Sequence, residues 1–213
     1  MAAASQIPVL NTPQVISACE NKLATRALLR GGGVRSPDFR LVVSRKDFQL
    51  ALTELALPIA LKPVFGGMGR RVTLIRRSET AQSLYDYIED LGHAFEQACL
   101  VEPYLGSRSV RCLVVGRELA AVAEFESNGE DWRSNATTGS RQRAIAHRPE
   151  ICEIVDGVIG ELGAGVYGID LFETPSGYVV NEVNHAPGFR AVATATGVDI
   201  AALISRHVQK VLG

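Results

Sequence analysis

Near its carboxyl end the chain carries two strand-like runs, Val166 to Phe172 and Tyr178 to Val183. Between them stands Thr174-Pro175-Ser176-Gly177, a strong turn signal. Runs of this kind around a tight turn specify an antiparallel hairpin. The runs hold Gly168-Ile-Asp170-Leu-Phe172 and Val180-Asn-Glu182-Val-Asn184. Side chains alternate faces along a strand, so Glu182 and Asn184 share one face. Pairing symmetric about Ser176 sets Asp170 opposite Glu182 on that same face. Two carboxylates that close repel each other unless a cation lies between them. Oxygen-only donors suit magnesium, which takes one or two carboxylates plus substrate phosphates. A surface hairpin with solvated acids is the alternative this segment alone leaves open.

Elsewhere the pattern switches repeatedly between helical and strand periodicity, so the class is mixed α and β. Helices are expected over Asn21 to Leu29 (stopping at Gly31-Gly32-Gly33), from Ser44 with Asp47 three residues on, over Glu79 to Leu91, Pro149 to Leu162 and Asp199 to Leu212. Further strands are expected at Ile59 to Val64, Val72 to Ile75, Cys99 to Glu102, Val110 to Val115 and Leu119 to Glu126, with Gly116-Arg117 as a hairpin turn. The polar stretch Ser127 to Arg143 reads as a long loop.

Lys62 sits inside the apolar run Ala60-Leu-Lys62-Pro, where an unpaired ammonium is costly and a bound phosphate would remove that cost. The following Gly66-Gly67-Met68-Gly69-Arg70 lets backbone N–H groups approach an anion. A tight hairpin turn explains those glycines equally well, and the lysine precedes them, unlike a P-loop. Arg111 lies in a strand pattern, with Arg133 and Asn135 in the polar loop. An arginine fork suits phosphate or carboxylate, although single arginines are usually surface residues.

Composition narrows the classes. Net charge is −1 with a pI near 6.4, which excludes the global basic footprint of a nucleic-acid binder. Cys19, Cys99, Cys112 and Cys152 form no CxxC pair and stand among apolar neighbours, so buried thiols in a reducing compartment are expected and a zinc site is not. The start MAAASQIPVLN lacks a basic n-region, and no stretch reaches the roughly 20 apolar residues of a membrane span. A cytoplasmic protein is the expectation.

Taken in order, the chain shows Asn21-Lys22-Leu-Ala-Thr25, Ala60-Leu-Lys62-Pro, Gly66-Gly-Met-Gly69-Arg70, Val101-Glu102-Pro-Tyr104-Leu105, Val110-Arg111, Arg133-Ser-Asn135, Gly168-Ile-Asp170-Leu-Phe172 and Asn181-Glu182-Val-Asn184-His185. This series resembles the RimK-like branch of the ATP-grasp superfamily. It is most similar to the LysX-type ligases, which extend an amino-group carrier protein in lysine or arginine synthesis. Phe189-Arg190 and Thr196-Gly-Val-Asp-Ile200 add to the likeness, which runs from about Ile7 to the end.

The resemblance implies an α+β ATP-grasp fold, two lobes with antiparallel sheets enclosing the nucleotide. Residues 21–105 would form the small lobe with a preceding helix (the lobe proper about 35–103). Residues 106–213 would form the large catalytic lobe, after a linker or domain remnant at 1–20. Lys22 and Lys62 would hold ATP phosphates under the loop Gly66 to Arg70. Glu102 and the backbone of Pro103, Tyr104 and Leu105 would receive adenine. Asp170, Glu182 and Asn184 would hold two magnesium ions, with manganese as an alternative. Arg111, Arg133 and Asn135 would face the γ-phosphate and an acyl phosphate, Arg190 would bind a carboxylate of the incoming amino acid, and Asn184 would also contact substrate.

The implied reaction joins glutamate or a relative to a small acidic carrier protein, for which Arg70-Arg71 and Arg76-Arg77 are candidate docking charges. The alternatives are a RimK-like glutamate ligase acting on a ribosomal protein or coenzyme, and an ATP-binding module without catalysis. No nucleic acid or membrane partner is implied, and a homo-oligomer is admitted. Three features depart from the family pattern. Ser109 stands where an aspartate for the ribose is usual, Met68 where tryptophan is common, and Ala186-Pro187-Gly188 looks more RimK-like. Family members usually carry a further Rossmann-like domain ahead of the Lys22 region, where this chain has about twenty residues.

Overall fold

A computed structural model of the chain describes residues 8–66, 71–90, 98–129, 131–134 and 139–213. It divides into two compact units, Pro37–Leu105, and Met1–Ser36 with Gly106–Gly213.

The amino-terminal segment supplies two helices, α1 (Pro13–Glu20) and α2 (Lys22–Gly31). Each starts where the sequence offers a cap. Thr12 precedes a first-turn proline, and the Asn21 side chain accepts from Ala24 N–H at 3.0 Å. Helix α2 ends in glycines, and Gly33 takes a φ of 74° that other residues resist. Arg26 and Leu29 of α2 are buried in the larger unit, where Arg26 donates to the Val180 carbonyl.

The smaller unit contains β1 (Arg40–Val42), α3 (Arg45–Glu54), β2 (Ile59–Pro63), β3 (Thr73–Ile75), α4 (Ser78–Asp90) and β4 (Cys99–Pro103). The Ser44 hydroxyl accepts from Asp47 N–H at 3.3 Å, and the Asp47 carboxylate accepts from Val43 N–H at 3.2 Å. That exchange is the start signal read for α3. The four strands form an antiparallel sheet in the order β1-β4-β2-β3. Val42, Ile59, Leu61, Ile75 and Val101 on one face pack against Phe48 and Ala51 of α3 and Ala81 and Tyr85 of α4. Alternation turns Lys62 and Glu102 to the opposite face.

The larger unit is built on β5 (Arg108–Gly116), β6 (Glu118–Glu126), β7 (Arg141–Ala144), β8 (Gly165–Thr174) and β9 (Gly177–Asn184), with α5 (Pro149–Leu162), α6 (Arg190–Thr196) and α7 (Ile200–Leu212). The strands form a second antiparallel sheet, β7-β6-β5-β8-β9. One face carries Cys112, Val114, Tyr167, Ile169 and Leu171 against Ile151, Val155, Val158 and Ile159 of α5. The other carries Leu113, Ala121, Ala123 and Phe125 against Val192 of α6 and Ile200 of α7. Each fully buried aliphatic side chain contributes about 1.5–3 kcal/mol, which ties the sheet to its helices from both sides.

The expected loop over Ser127 to Arg143 is corrected at its end. Residues 141–144 form β7, paired with β6 through Glu126↔Arg141 and Glu124↔Arg143. All four β7 residues are exposed, so an edge strand with no apolar alternation was read as loop. Helix α1, strand β1 and helix α6 also go beyond the expected elements. No helix among the described residues is long and apolar enough to cross a membrane.

Candidate functional site

The central observation is a row of side chains running across the larger sheet. Arg111 on β5 stands opposite Asp170 on β8, and Asp170 opposite Glu182 on β9. The next pair along the same face is Gly168 with Asn184.

A local irregularity creates this row. From the turn outward the hairpin pairs Thr174↔Gly177, Glu173↔Tyr178, Phe172↔Val179 and Leu171↔Val180. Continued without a break, that register would set Asn181 against Asp170 and Glu182 against buried Ile169. Instead the register shifts between Asp170 and Leu171, and Asn181 is the extra residue. The bulge lets Val180 enter the core while Glu182, two positions on, reaches the other face.

The side chains converge accordingly. Arg111 grips Asp170 with two parallel bonds, Nε to Oδ1 and Nη2 to Oδ2, each 2.6 Å. A bidentate fork of this kind fixes orientation as well as adding energy. The Asp170 charge pushes the Arg111 pKa upward against the opposing effect of burial. The guanidinium also lies 5.8 Å from the centre of the Phe125 ring. Asn184 Nδ2 stands 3.4 Å from Asp170 Oδ2 and 3.3 Å from Glu182 Oε1, so one amide spans both carboxylates. Gly168 clears the space beside them, since a Cβ there would come within 2.8 Å of Pro187 Cβ.

The donor chemistry fits a hard divalent cation. Two carboxylates and an amide lie together, and among the described residues no group of three His, Cys, Asp or Glu side chains forms a metal cage. Such a set is too sparse for a closed structural site, but it suits an ion that keeps ligands from substrate phosphates. Asn184 presents its nitrogen to the acids here, so serving a cation requires its amide to turn the oxygen inward.

On the smaller unit Lys62 Nζ lies 2.6 Å from Glu102 Oε2. The carboxylate therefore offsets the cost of burying this ammonium within the protein itself, where the sequence alone suggests a bound phosphate. Just beyond, Pro103 has no N–H, and Tyr104 N–H donates to Pro58 O at 3.0 Å. Leu105 closes the unit. Gly66 has a φ of 115° and Arg71 one of 60°, so the backbone is unusual on both sides of the glycine segment. The expected contributions of Gly67, Met68, Gly69, Arg70 and Asn135 lie outside the described residues.

Lys22 is the first residue of α2. Arg133 bonds Asp131, with Nη2 to Oδ2 at 2.6 Å, and holds that carboxylate's pKa below its ordinary value. The Ser109 hydroxyl accepts from Ser134 Oγ at 2.8 Å. Arg190 is exposed at the first position of α6. Asp131 and Ser134 carry no signal in the sequence, because nothing in a polar loop marks which residues will pair.

Two antiparallel sheets, each packed with helices, are the architecture of the ATP-grasp class of ligases, enzymes that use ATP with magnesium to form C–N bonds. Within it, the model of the RimK-like ATP-grasp domain matches residues 19–208, and the chain belongs to that family. Among its relatives is the glutamate–LysW ligase ArgX of Sulfurisphaera tokodaii, 27% identical over 97% of this chain and 74% of the relative. The α-aminoadipate–LysW ligase LysX of the same organism is 26% identical over 94% of this chain and 71% of its own length. The fold is shared with a RimK-domain ATP-grasp protein of Sphaerobacter thermophilus (TM-score 0.78, 24% identity, 96% of this chain and 73% of that one). It is shared also with the D-alanine–D-alanine ligase of Bacillus anthracis (TM-score 0.78, 18% identity, 99% and 73%).

Proposed function

We propose that this chain transfers the γ-phosphoryl group of ATP to a carboxylate, releasing ADP and giving an acyl phosphate, and that the amine of a glutamate-type amino acid then attacks the acyl carbon, forming the amide and releasing phosphate and a proton. The acceptor carboxylate belongs to a small acidic carrier protein. The relatives named as LysW ligases support that pairing of amino acid and carrier.

One observation carries the proposal, the row Arg111, Asp170, Glu182 and Asn184 on one face of the sheet. The chemical difficulty is charge, because an anionic carboxylate must approach a triphosphate. Arg111 is held by Asp170 through one edge of its guanidinium. Its other N–H groups present cationic donors to the transferring phosphoryl group and then to the acyl phosphate. Asp170, Glu182 and Asn184 are the residues to hold magnesium, as two ions with manganese as a substitute. A divalent ion held by these residues would supply positive charge against the phosphates. Lys62 and Lys22 contact phosphates, and Glu102 keeps the Lys62 ammonium in place. Because Pro103 lacks an N–H and that of Tyr104 is engaged by Pro58, Leu105 N–H is the hinge donor for adenine. Arg190 binds a carboxylate of the amino acid, and positioning of the two substrates supplies much of the remaining acceleration. In this reading residues 35–103 form the small lobe and 106–213 the catalytic lobe.

Glu182→Ala tests it. Formation of ADP from ATP, glutamate and an acidic carrier protein should fall at least 100-fold, with the thermal midpoint little changed because Glu182 is only half-buried. An unchanged rate would remove Glu182 from the site and the proposal with it.

A further inference from the structure

The acid row stands near the end of β9, and a buried side chain from the far end of the chain grips that end. Asn11 is 3% exposed. Its Nδ2 donates to Val166 O at 2.9 Å and to His185 O at 2.7 Å, while its Oδ1 accepts from Val166 N–H at 2.7 Å. One N–H and two carbonyls around a primary amide permit a single orientation of its head.

The location gives these bonds meaning. The last register pair between β8 and β9 is Gly168 with Asn184. Two residues earlier on β8, Val166 pairs with Val115 of β5 on one side. On the other side Asn11 stands where a continuing β9 would lie, offering Val166 both an acceptor and a donor as a strand backbone does. Its second N–H holds the carbonyl of the residue directly after Asn184. The closeness depends on Gly165, where a Cβ would collide with the Asn11 amide oxygen and the Tyr167 hydroxyl.

We infer that Asn11 is a positioning residue for the acid row, fixing where β9 ends and hence where Asn184 and Glu182 lie relative to Asp170. The inference rests on the ligase reading above. Asn184 spans its two carboxylates at 3.3–3.4 Å, near the outer limit of a hydrogen bond. A magnesium ion demands oxygens at about 2.0–2.1 Å in near-ideal geometry. A small shift of the β9 exit therefore weakens the cation before it dismantles the sheet.

Asn11→Asp keeps the volume and the acceptor for Val166 N–H, but sets a carboxylate oxygen against two carbonyls. Asn11→Ser keeps a donor too short to reach His185. The full-length variants are titrated calorimetrically with Mg²⁺ in the presence of ADP, and their thermal midpoints are read alongside. The Mg²⁺ concentration at half-saturation should rise at least fivefold in Asn11→Asp and at least twofold in Asn11→Ser, which also serves if the aspartate variant does not fold. Ile151→Val, a trim in the core on the opposite face, should lower the midpoint and leave the Mg²⁺ dependence alone. Unchanged half-saturation in the Asn11 variants, with the parent chain binding normally, overturns the inference by itself. A parent chain that shows no Mg²⁺-dependent ADP binding overturns the ligase reading and this inference together.

Discussion

Glu102 keeps 2% of its side chain exposed and Lys62 13%, with 2.6 Å between their charged atoms. Neither charge tolerates that burial alone, so the pair behaves as a unit. Lys62→Met leaves the carboxylate without its ammonium and should destabilise the fold by about 3 kcal/mol in chemical denaturation. Lys62→Met with Glu102→Leu removes both charges and should return to within about 1 kcal/mol of the parent. Nucleotide binding should remain lost in the double variant, because stability and ligand contact then part company. Equal destabilisation by the single and double variants would show that the loss does not come from an uncompensated buried carboxylate. Sequence made half of this visible. A lysine in an apolar strand announces a cost, but its compensation depends on register, and Glu102 stands diagonally across from it, opposite Ala60. A one-residue slip would have turned it to the helix-covered face.

At the level of elements the hairpin β8–β9 matters most, and its geometry comes from two devices in sequence. The first is the turn, where Gly177 has a φ of 105° and Thr174 Oγ1 donates to Gly177 O at 2.7 Å. The second is the bulge at Asn181, which carries the pairing into the register the site needs. Gly177→Ala forces a side chain into left-handed backbone and brings its Cβ to 2.7 Å from Arg35 Nη2. It should cost about 1–3 kcal/mol in thermal unfolding. Because the bulge lies closer to the site than the turn does, ADP formation should stay within about threefold of the parent. A loss matching that of Glu182→Ala would show that the turn, not the bulge, sets the row. The opposition of Asp170 and Glu182 was legible from symmetry about Ser176, yet the chain reaches it by a tighter turn plus one extra residue. Neither residue composition nor alternation marks Asn181 as that extra residue. Long periodic helices such as α5 and α7 were legible to within a residue or so, because their apolar stripes repeat over several turns. The short β1, β7 and α6 carry too few periods to rise above loop.

Across the whole molecule the 46% hydrophobic content is divided among separate clusters, and the larger unit buries ionisable groups, among them a thiol next to the acid row whose proton the Asp170 charge also helps to hold. Cys112 is fully buried and burial pushes its thiol pKa well up. Burial also raises Cys19 to about 11 and the Tyr167 phenol to about 12. All four cysteines are free thiols. In the unfolded chain a thiol loses its proton near pH 9, whereas Cys112 in the folded chain keeps it. These groups therefore leave stability intact below about pH 9 and erode it as pH climbs through the raised values, since only the unfolded state releases protons there. A group titrating solely in the unfolded chain contributes a slope of about 1.4 kcal/mol per pH unit. Cys112 should show that slope nearly in full, and the more exposed Cys19 less, because solvent screens it. Denaturation midpoints taken from pH 7 to 10.5 should be level up to about pH 9 and then fall. Cys112→Ala should be less stable at neutral pH through its lost packing, but its alkaline limb should be shallower by about 1.4 kcal/mol per pH unit. A limb of unchanged steepness in Cys112→Ala would assign the alkaline loss to groups other than Cys112.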